Sequence, residues 1–168
     1  MELRQAQYTD LPKLKIMYKN IVKRMEKNGV YIWDENYPYQ EFPIDIDNKS
    51  LYIICDDEKI VSAFGLCERV AGSENFSWEN PNAKSIYLVR LGINADCQNQ
   101  GIGAKTIEQV KHIAKGKGCE YLRLQVVDSN IPAINFYKKQ NFVQAEGCYV
   151  EVIDEDFQLT EYGFEIKL

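Results

Sequence analysis

The segment Gln98-Asn99-Gln100-Gly101-Ile102-Gly103-Ala104 decides the fold of this chain, because a strand pattern precedes it and a helix pattern follows it. The β-branched and aromatic stretch at residues 86–93 is typical of a strand. After the glycines, residues of one buried helix face recur at steps of three and four: Ile102, Thr106, Ile107, Val110, Ile113 and Ala114. The first N–H groups of such a helix lack intrahelical partners, so the segment predicts a site for a phosphate-bearing ligand.

The composition is that of a mildly acidic globular protein. The 168 residues are 45% hydrophobic and 27% charged, with a formal net charge of −5. This length fits one domain over residues 1–168 that buries a full core. Because lysines and arginines form no cluster, the sequence argues against a nucleic-acid partner. The acidic balance suits a cationic or neutral small substrate.

Five cysteines are spread along the chain without a CxxC pair, at positions 55, 67, 97, 119 and 148. Their odd number and wide spacing indicate neither a disulfide framework nor a zinc site, and no metal is expected. No run of residues approaches the roughly 20 apolar positions of a membrane helix. Since the first residues also form no apolar leader, we expect a reduced, cytoplasmic protein without a membrane partner.

The hydrophobic periodicity predicts the element order β-α-loop-β-β-β-α-β-α-β-β. Turn residues between residues 51–55 and 60–67 indicate a hairpin, and two strands, at residues 142–153 and 157–167, are expected to close the chain. Helices between the middle strands and hairpins at the flanks together imply a mixed sheet with helices packed on it.

An aromatic connection at residues 30–39 is a candidate lining for a substrate pocket. Trp33 and Tyr37 stand there beside the carboxylates Asp34 and Glu35. A few polar groups among aromatic side chains are typical of ligand pockets. The alternative is that Trp33 and Tyr37 only pack the connection onto the core, and the sequence leaves both readings open.

Two common nucleotide-binding motifs fit the glycine segment poorly. Ala104-Lys105-Thr106 resembles the tail of the P-loop pattern GxxxxGK(S/T), but Asn99 and Ala104 stand where its two glycines belong. No GxGxxG pattern occurs at the first turn between strand and helix, so a dinucleotide-binding fold is not indicated. A plain connecting turn remains open, because two glycines in a short loop are a modest signal.

Two motifs in this chain resemble those of one enzyme family. Gln98-x-x-Gly101-x-Gly103 resembles the acyl-CoA signature Q/R-x-x-G-x-G/A of the GNAT N-acetyltransferase superfamily. The stretch from Asn130 to Phe142 resembles that family's N-x-x-A-x-x-F/L-Y-x-x-x-G-F, with Asn141 in place of the last glycine, a swap that a left-handed helix end accepts. The resemblance implies an α/β (α+β) fold: a mixed, mostly antiparallel sheet of six to seven strands, with a splayed central strand pair and helices on both faces.

The resemblance also implies how acetyl-CoA would bind as cosubstrate. The backbone of the glycine segment would hold the pyrophosphate, since glycine lets phosphate oxygens approach without a Cβ in the way. The pantetheine arm would pair like an added strand with the end of the central strand, and Asn130 would bond one of its amides. The implied contacts are Leu91, Gly92, Ile93, Gln98, Asn99, Gln100, Gly101, Ile102, Gly103, Ala104, Asn130, Asn135 and Tyr137.

By the same resemblance, a neutral amine attacks the thioester carbonyl directly in a ternary complex. The backbone N–H of Leu91 would stabilise the negative tetrahedral oxygen. Tyr137 stands at the family's position for the acid that serves the leaving thiolate. Tyrosine, with an ordinary pKa near ~10, is protonated at neutral pH and can donate to sulfur.

The sequence departs from the family's pattern at the position of the base that takes the proton of the amine. Many relatives carry a glutamate on the central strand, whereas this chain has Tyr87 there and no acidic residue between positions 86 and 93. Glu68, at the end of its predicted strand, is the first candidate for the base, and Asp34 and Glu35 are the alternatives. The expected substrate contacts are Trp33, Glu35, Tyr37 and Tyr87.

Two functions of different classes follow. The leading hypothesis is an enzyme that transfers acetyl from acetyl-CoA to a primary amine, with a small cationic amine favoured over a peptide amine. The alternative is a non-catalytic acyl-CoA-binding or sensor module of the same fold, because the central strand lacks a carboxylate. Retention of Tyr137 favours the enzyme, and nucleotide hydrolysis comes third. The sequence leaves open whether the chain is a monomer or a homodimer.

Overall fold

A computed structural model describes residues 1–97 and 100–168 of the chain. The helices are α1 (Leu11–Lys27), α2 (Phe42–Asp47), α3 (Ile102–Gly116) and α4 (Ile131–Lys139). The strands are β1 (Glu2–Gln5), β2 (Leu51–Asp56), β3 (Lys59–Cys67), β4 (Ser85–Ile93), β5 (Tyr121–Val127), β6 (Val143–Gln144), β7 (Tyr149–Val152) and β8 (Gln158–Lys167).

The strands form one sheet in the order β1-β2-β3-β4-β5-β8-β6, and β7 pairs with β8 as well. β4 and β5 pair in parallel through Ser85–Tyr87 and Tyr121–Arg123. The pairs β1–β2, β2–β3, β5–β8, β6–β8 and β7–β8 are antiparallel. The predicted mixed, mostly antiparallel α/β fold and the predicted hairpin are therefore confirmed. The splay between β4 and β5 stays a prediction.

Over residues 1–97 and 100–168 the sheet has eight strands rather than six or seven, and part of the difference lies near the end of the chain. The sequence predicted a single strand over residues 142–153, and this was wrong, because the structure has the two short strands β6 and β7 there. Between them, Gly147 has a left-handed φ of +102°, and a Cβ on it would lie 2.2 Å from the carbonyl oxygen of Asn75. Extended backbone cannot continue through such a residue, so the strand is interrupted.

The described residues divide into two compact units. The first comprises Met1–Leu66 and Val89–Gln109, and the second comprises Cys67–Leu88 and Val110–Leu168. The expectation of a single domain over residues 1–168 stays a prediction.

The first unit is held by an apolar cluster in which the buried face of α1 meets β2 and β3. Its members include Leu14, Tyr18, Phe42, Leu51, Ile53 and Ala63. Full burial of one large apolar side chain stabilises a fold by about 1.5–3 kcal/mol, so the cluster fixes α1 firmly. Tyr18 is 2% exposed, and its ring meets Phe42 edge-on with centroids 4.8 Å apart.

The second unit is built on the long ladder between β5 and β8, which runs from Tyr121 opposite Lys167 to Val127 opposite Glu161. One face of this ladder carries the fully buried Leu122 and Phe164. The other face carries a buried ion pair in which Arg123 Nε donates to Glu165 Oε2 at 3.0 Å. The Trp78 ring covers the same guanidinium at 4.7 Å, so the connection before β4 is anchored on this face.

Two kinds of feature are absent from the described ranges. Within residues 1–97 and 100–168, no helix has the length and apolar character that crossing a bilayer requires. Over the same residues, no three His, Cys, Asp or Glu side chains are grouped closely enough to hold a metal ion.

Candidate functional site

The glycine turn opens α3 with a backbone conformation that glycine adopts readily. Gly101 has a φ of +76°, and a Cβ placed there would meet no atom within 4 Å. Its carbonyl accepts the N–H of Lys105 at 3.1 Å, and α3 begins at the next residue. The N–H groups of Ile102, Gly103 and Ala104 therefore belong to the first helical turn, where no intrahelical acceptor exists. Such a turn binds anions through its backbone.

Gln98 and Asn99, which were predicted to hold the pyrophosphate, lie outside the described residues. Gln100 follows them and is exposed, and its side-chain amide donates to the carbonyl oxygen of Asp96 at 3.2 Å. One of the two N–H groups of that amide is thus engaged within its own turn.

Leu91, Gly92 and Ile93 end β4, and Tyr18 from α1 packs against this segment. The Tyr18 hydroxyl donates to the carbonyl oxygen of Arg90 at 2.6 Å. A Cβ on Gly92 would lie 2.7 Å from the Tyr18 ring, so the contact requires glycine at this position. Leu91 and Ile93 are half-buried. A buried helix side chain thus fixes the backbone that the resemblance assigns to the thioester and pantetheine.

Arg90 adopts an unusual backbone conformation directly before that segment. Its φ is +53° in the interior of β4, a value that residues with side chains rarely adopt and that occurs at β-bulges. One guanidinium nitrogen lies 2.6 Å from each carboxylate oxygen of Asp45, which is 5% exposed. Sequence reasoning missed this pair. The only signal was that Arg90 is the single charged residue among positions 86–93.

The aromatic connection lies beside the same part of β4. The Trp33 ring packs on Tyr18 with centroids 5.6 Å apart, and the Tyr37 side chain hydrogen-bonds to Arg90. Both aromatic residues predicted to line a substrate pocket are thus held next to the end of β4. Tyr37 remains 37% exposed, so its ring is accessible to a ligand.

The two carboxylates of this connection have different environments. Asp34 accepts the N–H groups of Asn36 and Tyr37, each at 2.7 Å, and therefore closes a turn. Glu35 is exposed to solvent. The structure thus holds Asp34 in a structural role and leaves Glu35 at the surface.

In the second unit, Asn130 caps α4. Its side-chain oxygen accepts the N–H of Ala133 at 3.3 Å, which leaves the amide nitrogen as a donor for a ligand. Asn141 has a φ of +66° just after the helix, which confirms the left-handed residue predicted there. Asn135 is exposed on α4.

Tyr137 lies on the buried face of α4. Its side chain is 9% exposed, and its ring meets Phe142 edge-on with centroids 5.6 Å apart. Burial raises the pKa of the phenol above its ordinary value, so the group stays protonated at neutral pH. Among the described residues, none hydrogen-bonds to this hydroxyl, so it is available as a donor to a ligand.

Tyr87 and Glu68 occupy different surroundings in the second unit. Tyr87 is 5% exposed, and its ring meets Trp78 edge-on at 6.1 Å. Glu68 is exposed directly after β3. Burial raises the pKa of the Cys119 thiol, the charges of Lys84 and Lys117 lower it, and the charge of Glu68 makes the smallest contribution, in the raising direction. Cys119 precedes the start of β5, so the charge of Glu68 acts on the residues before this strand.

Glu161 on β8 is a carboxylate that sequence reasoning missed. It pairs with Val127 at the carboxyl end of β5 and with Tyr149 of β7. Burial, together with the negative charge of Glu151, raises the pKa of Glu161 from 4.5 to about 7. No ion pair or hydrogen bond of its side chain occurs among the residues described. The local sequence gives no sign of this, because it shows an ordinary strand pattern.

The strand register puts Glu161 on the same sheet face as Tyr87. Tyr87 pairs with Arg123 of β5, and Arg123 pairs with Glu165 of β8. Glu161 lies four residues before Glu165 on that strand, and side chains an even number of residues apart share a face. The three guanidinium nitrogens of Arg123 donate to Glu165, to the Ser85 hydroxyl and to the Asn80 carbonyl oxygen, and not to Glu161.

A comparison of the sequence with models of known protein families identifies the family of this chain. The model for the acetyltransferase (GNAT) family matches residues 17–142, which is more than half of the chain. The chain therefore belongs to the acetyltransferase (GNAT) family.

Curated relatives match a shorter stretch. Thialysine N-epsilon-acetyltransferase of Bos taurus is 37% identical over 88 residues, which cover 51% of this chain and 52% of that protein. The protein of the same name from Mus musculus is 35% identical over 75 residues, covering 43% of this chain and 44% of the relative. The chain thus spans about half the length of the curated relatives it matches.

Solved structures share the fold over nearly the whole chain. A GNAT-family acetyltransferase from Streptococcus agalactiae has a TM-score of 0.80 at 13% identity, covering 99% of this chain and 95% of that one. The ribosomal-protein-S18-alanine N-acetyltransferase of Escherichia coli has a TM-score of 0.64 at 17% identity, covering 99% and 92%. At such identities the likeness shows the fold alone.

Proposed function

We propose that this protein is an N-acetyltransferase that moves the acetyl group of acetyl-CoA to a primary amine. The observation that carries the proposal is Tyr137: a buried, protonated phenol whose hydroxyl is available, at the family's acid position. A module that only binds acyl-CoA has no need of such a donor. Membership of the acetyltransferase family supports the same activity.

Two groups of backbone atoms are suited to hold acetyl-CoA. The pyrophosphate would bind the N–H groups of the turn from Gly101 to Ala104, where the positive φ of Gly101 turns the chain into α3. The pantetheine arm would pair with the backbone of Leu91 to Ile93, and the free amide of Asn130 would donate to one of its carbonyls. Because the turn and β4 would bind through their backbone and the Asn130 amide is neutral, the site does not depend on basic side chains.

The chemistry we propose is direct acetyl transfer. The neutral amine nitrogen bonds to the thioester carbonyl carbon, and the N–H of Leu91 stabilises the oxyanion that forms. Collapse of this intermediate breaks the carbon–sulfur bond while the Tyr137 hydroxyl hydrogen-bonds to the departing sulfur, and the second proton that the attacking nitrogen loses ends on the CoA thiol. The products are an amide and CoA, and the proton that the ammonium gave up at the start passes to solvent.

We assign the base that deprotonates the ammonium to Glu161 rather than to Glu68. Glu161 pairs with Val127, three residues before Asn130, whereas Glu68 is exposed directly after β3. A carboxylate with a pKa of about 7 is ionised in part at neutral pH and suited to accept a proton there. By strand register, the titratable or charged groups that share its face are Tyr149 and Glu151 of β7, Tyr121 and Arg123 of β5, Glu165 and Lys167 of β8 and Tyr87 of β4.

For the acceptor we propose a small cationic amine. The net charge of −5 and the carboxylates near the aromatic connection favour a cation over an anion. Trp33 and Tyr37 offer ring surface beside the end of β4. The matched relatives carry names that describe acetylation at the N-epsilon of thialysine, a primary amine of this kind.

The decisive experiment measures thiol release from acetyl-CoA over a panel of mono- and polyamines, amino acids and peptide amines. We expect release with at least one cationic amine and none with buffer alone. Stabilisation by CoA without release on any amine would favour the acyl-CoA-binding module. If ATP with magnesium raises the unfolding temperature while CoA does not, the proposed function is wrong.

The base is tested by the pH dependence of kcat/KM for the best amine. Loss of the acidic limb near pH 7 in Glu161→Gln supports Glu161, because that limb reports the base of the free enzyme. Loss of the limb in Glu68→Gln instead would return the role to Glu68.

A further inference from the structure

The last residues of β4 follow a residue whose backbone conformation is unfavourable for an amino acid with a side chain. Arg90 has a φ of +53° in the middle of the strand, where a side chain crowds the backbone. Such residues persist only when their surroundings determine them, and they cluster at functional sites. The surroundings of Arg90 therefore bear on the function of the residues that follow it.

A buried ion pair holds the Arg90 side chain. Its Nε donates to Asp45 Oδ2 at 3.0 Å, and one terminal nitrogen lies 2.6 Å from both carboxylate oxygens. Ser50 constrains Asp45 in turn, since its hydroxyl lies 3.4 Å from Asp45 Oδ1 and 3.1 Å from the Asp45 carbonyl oxygen. Buried ion pairs contribute little to stability, because both charges lose their hydration. We therefore attribute to this pair the role of fixing the conformation of Arg90 rather than of stabilising the fold.

A second contact holds the Arg90 backbone. The Tyr18 hydroxyl donates to the Arg90 carbonyl oxygen at 2.6 Å and also approaches the Ala63 carbonyl at 3.3 Å. The Tyr18 ring lies on Gly92, where a Cβ would clash. Arg90 is thus fixed at its side chain and its carbonyl, and Gly92 by contact with the ring. Leu91 lies between these two fixed points.

We propose that Asp45, Arg90 and Tyr18 are positioning residues that orient the N–H of Leu91 toward the thioester carbonyl oxygen. This rests on the proposed function, because only acetyl transfer gives that N–H an oxyanion to stabilise. The peptide group between Arg90 and Leu91 carries both the carbonyl that Tyr18 binds and the N–H in question. Fixing one end of a planar peptide fixes the direction of the other.

The test compares Asp45→Asn and Tyr18→Phe with a matched control, Asp10→Asn. Asp10 is also buried, at 6% exposure, and accepts hydrogen bonds from two Arg4 nitrogens at 2.8 Å each. It is distant from β4 in the sequence and has no part in the proposed site. We expect kcat to fall about 10- to 100-fold in Asp45→Asn and Tyr18→Phe, because a misplaced oxyanion donor costs that much. The KM for acetyl-CoA should change by no more than about twofold. Asp10→Asn should lose stability but keep kcat.

A second measurement separates this proposal from the proposed function. In ¹⁵N-labelled protein, the amide resonances of Leu91 and Gly92 should shift in Asp45→Asn and Tyr18→Phe and stay unchanged in Asp10→Asn, whether or not the protein is active. Tyr18→Phe keeps the ring on Gly92 and serves where Asp45→Asn fails to fold. If wild type transfers no acetyl group to any amine, the proposed function fails while the spectra still test the orientation. Equal losses of kcat in Asp45→Asn and Asp10→Asn, or an unmoved Leu91 amide, would overturn the proposal.

Discussion

At the scale of single residues, the protonation of Tyr137 limits how it can act. Burial raises the pKa of this phenol, whereas a thiol has an ordinary pKa near ~8.5. Complete proton transfer from Tyr137 to the thiolate is therefore uphill. In the proposed reaction, a hydrogen bond from Tyr137 to sulfur would strengthen as the carbon–sulfur bond breaks, which avoids a buried phenolate. The attacking nitrogen would then supply the proton that CoA finally carries.

Replacing Tyr137 by phenylalanine tests this role. We expect Tyr137→Phe to lower kcat by at least about 100-fold, the usual contribution of a positioned acid, with little change in the affinity for acetyl-CoA. Tyr52→Phe is the control, because Tyr52 is equally buried at 9% exposure and stacks on Phe64 in the core of the first unit. Steady-state kinetics with both variants measure the difference. An equal kcat in the two variants would rule out the acid role.

Glu161 predicts a pH dependence of stability that does not require any substrate. The pKa of Glu161 in the folded protein is about 7, above the ordinary 4.5. The folded protein therefore binds this proton more tightly than the unfolded chain does. The resulting stabilisation is complete below pH 4.5 and is lost as the pH rises through 7. We therefore expect wild type to lose more stability than Glu161→Gln between about pH 5 and about pH 8, as urea unfolding would measure.

Glu151→Gln serves as the comparison for this experiment. It removes the like charge but leaves the burial of Glu161, which is the larger cause of the raised pKa. We expect it to retain most of the pH-dependent loss. If wild type and Glu161→Gln lose stability in parallel, Glu161 titrates in its ordinary range and is a weaker candidate for the base.

At the scale of elements, alanine substitutions at two glycines test whether the turn into α3 binds CoA. Gly101 and Gly29 have φ values of +76° and +72°, and a Cβ on either would meet nothing within 4 Å. Alanine at either position should cost about 1 kcal/mol of stability, because the left-handed conformation is strained with a Cβ. Gly101→Ala should in addition weaken CoA binding, since the Cβ obstructs the phosphate. Titration calorimetry and urea unfolding of both variants measure the two effects. Equal CoA affinity in the two variants would place the pyrophosphate elsewhere.

The elements that the sequence predicted correctly are those with local signals. The turn at Gly101 lies between a strand and an amphipathic helix, and Asn141 ends α4 in the left-handed conformation expected of it. The hairpin of β2 and β3 has turn residues between two apolar runs. In each case, residues within about ten positions of one another determine the backbone.

The features that the sequence did not predict depend on residues far apart along the chain. Asp45 and Arg90 are 45 positions apart, and Tyr18 and Arg90 are 72 positions apart. The environment of Glu161 arises from pairing with β5 and β7, and the break between β6 and β7 involves the backbone of Asn75. Periodicity indicates which side of a strand is buried, but it does not indicate what lies opposite.

At the scale of the whole molecule, ligand linkage distinguishes acyl-CoA binding from nucleotide binding. Acetyl-CoA at 100 times its Kd should stabilise the folded chain by about 2.7 kcal/mol, because it binds the folded state alone. Differential scanning fluorimetry should show a higher unfolding temperature with acetyl-CoA or CoA, and no change with ATP and magnesium. The same titration on Gly101→Ala should need more ligand for an equal shift. A stronger response to ATP than to CoA would contradict the assignment.

The pairing of Asp45 with Arg90 also has an evolutionary consequence. A lineage that loses the acid leaves a buried arginine without its counter-ion, and one that loses the arginine leaves a buried carboxylate. Neither single step is easily tolerated, so the two positions should change together in descendants of this chain. When they do, position 90 should drift to glycine or asparagine, the residues for which a left-handed backbone costs least.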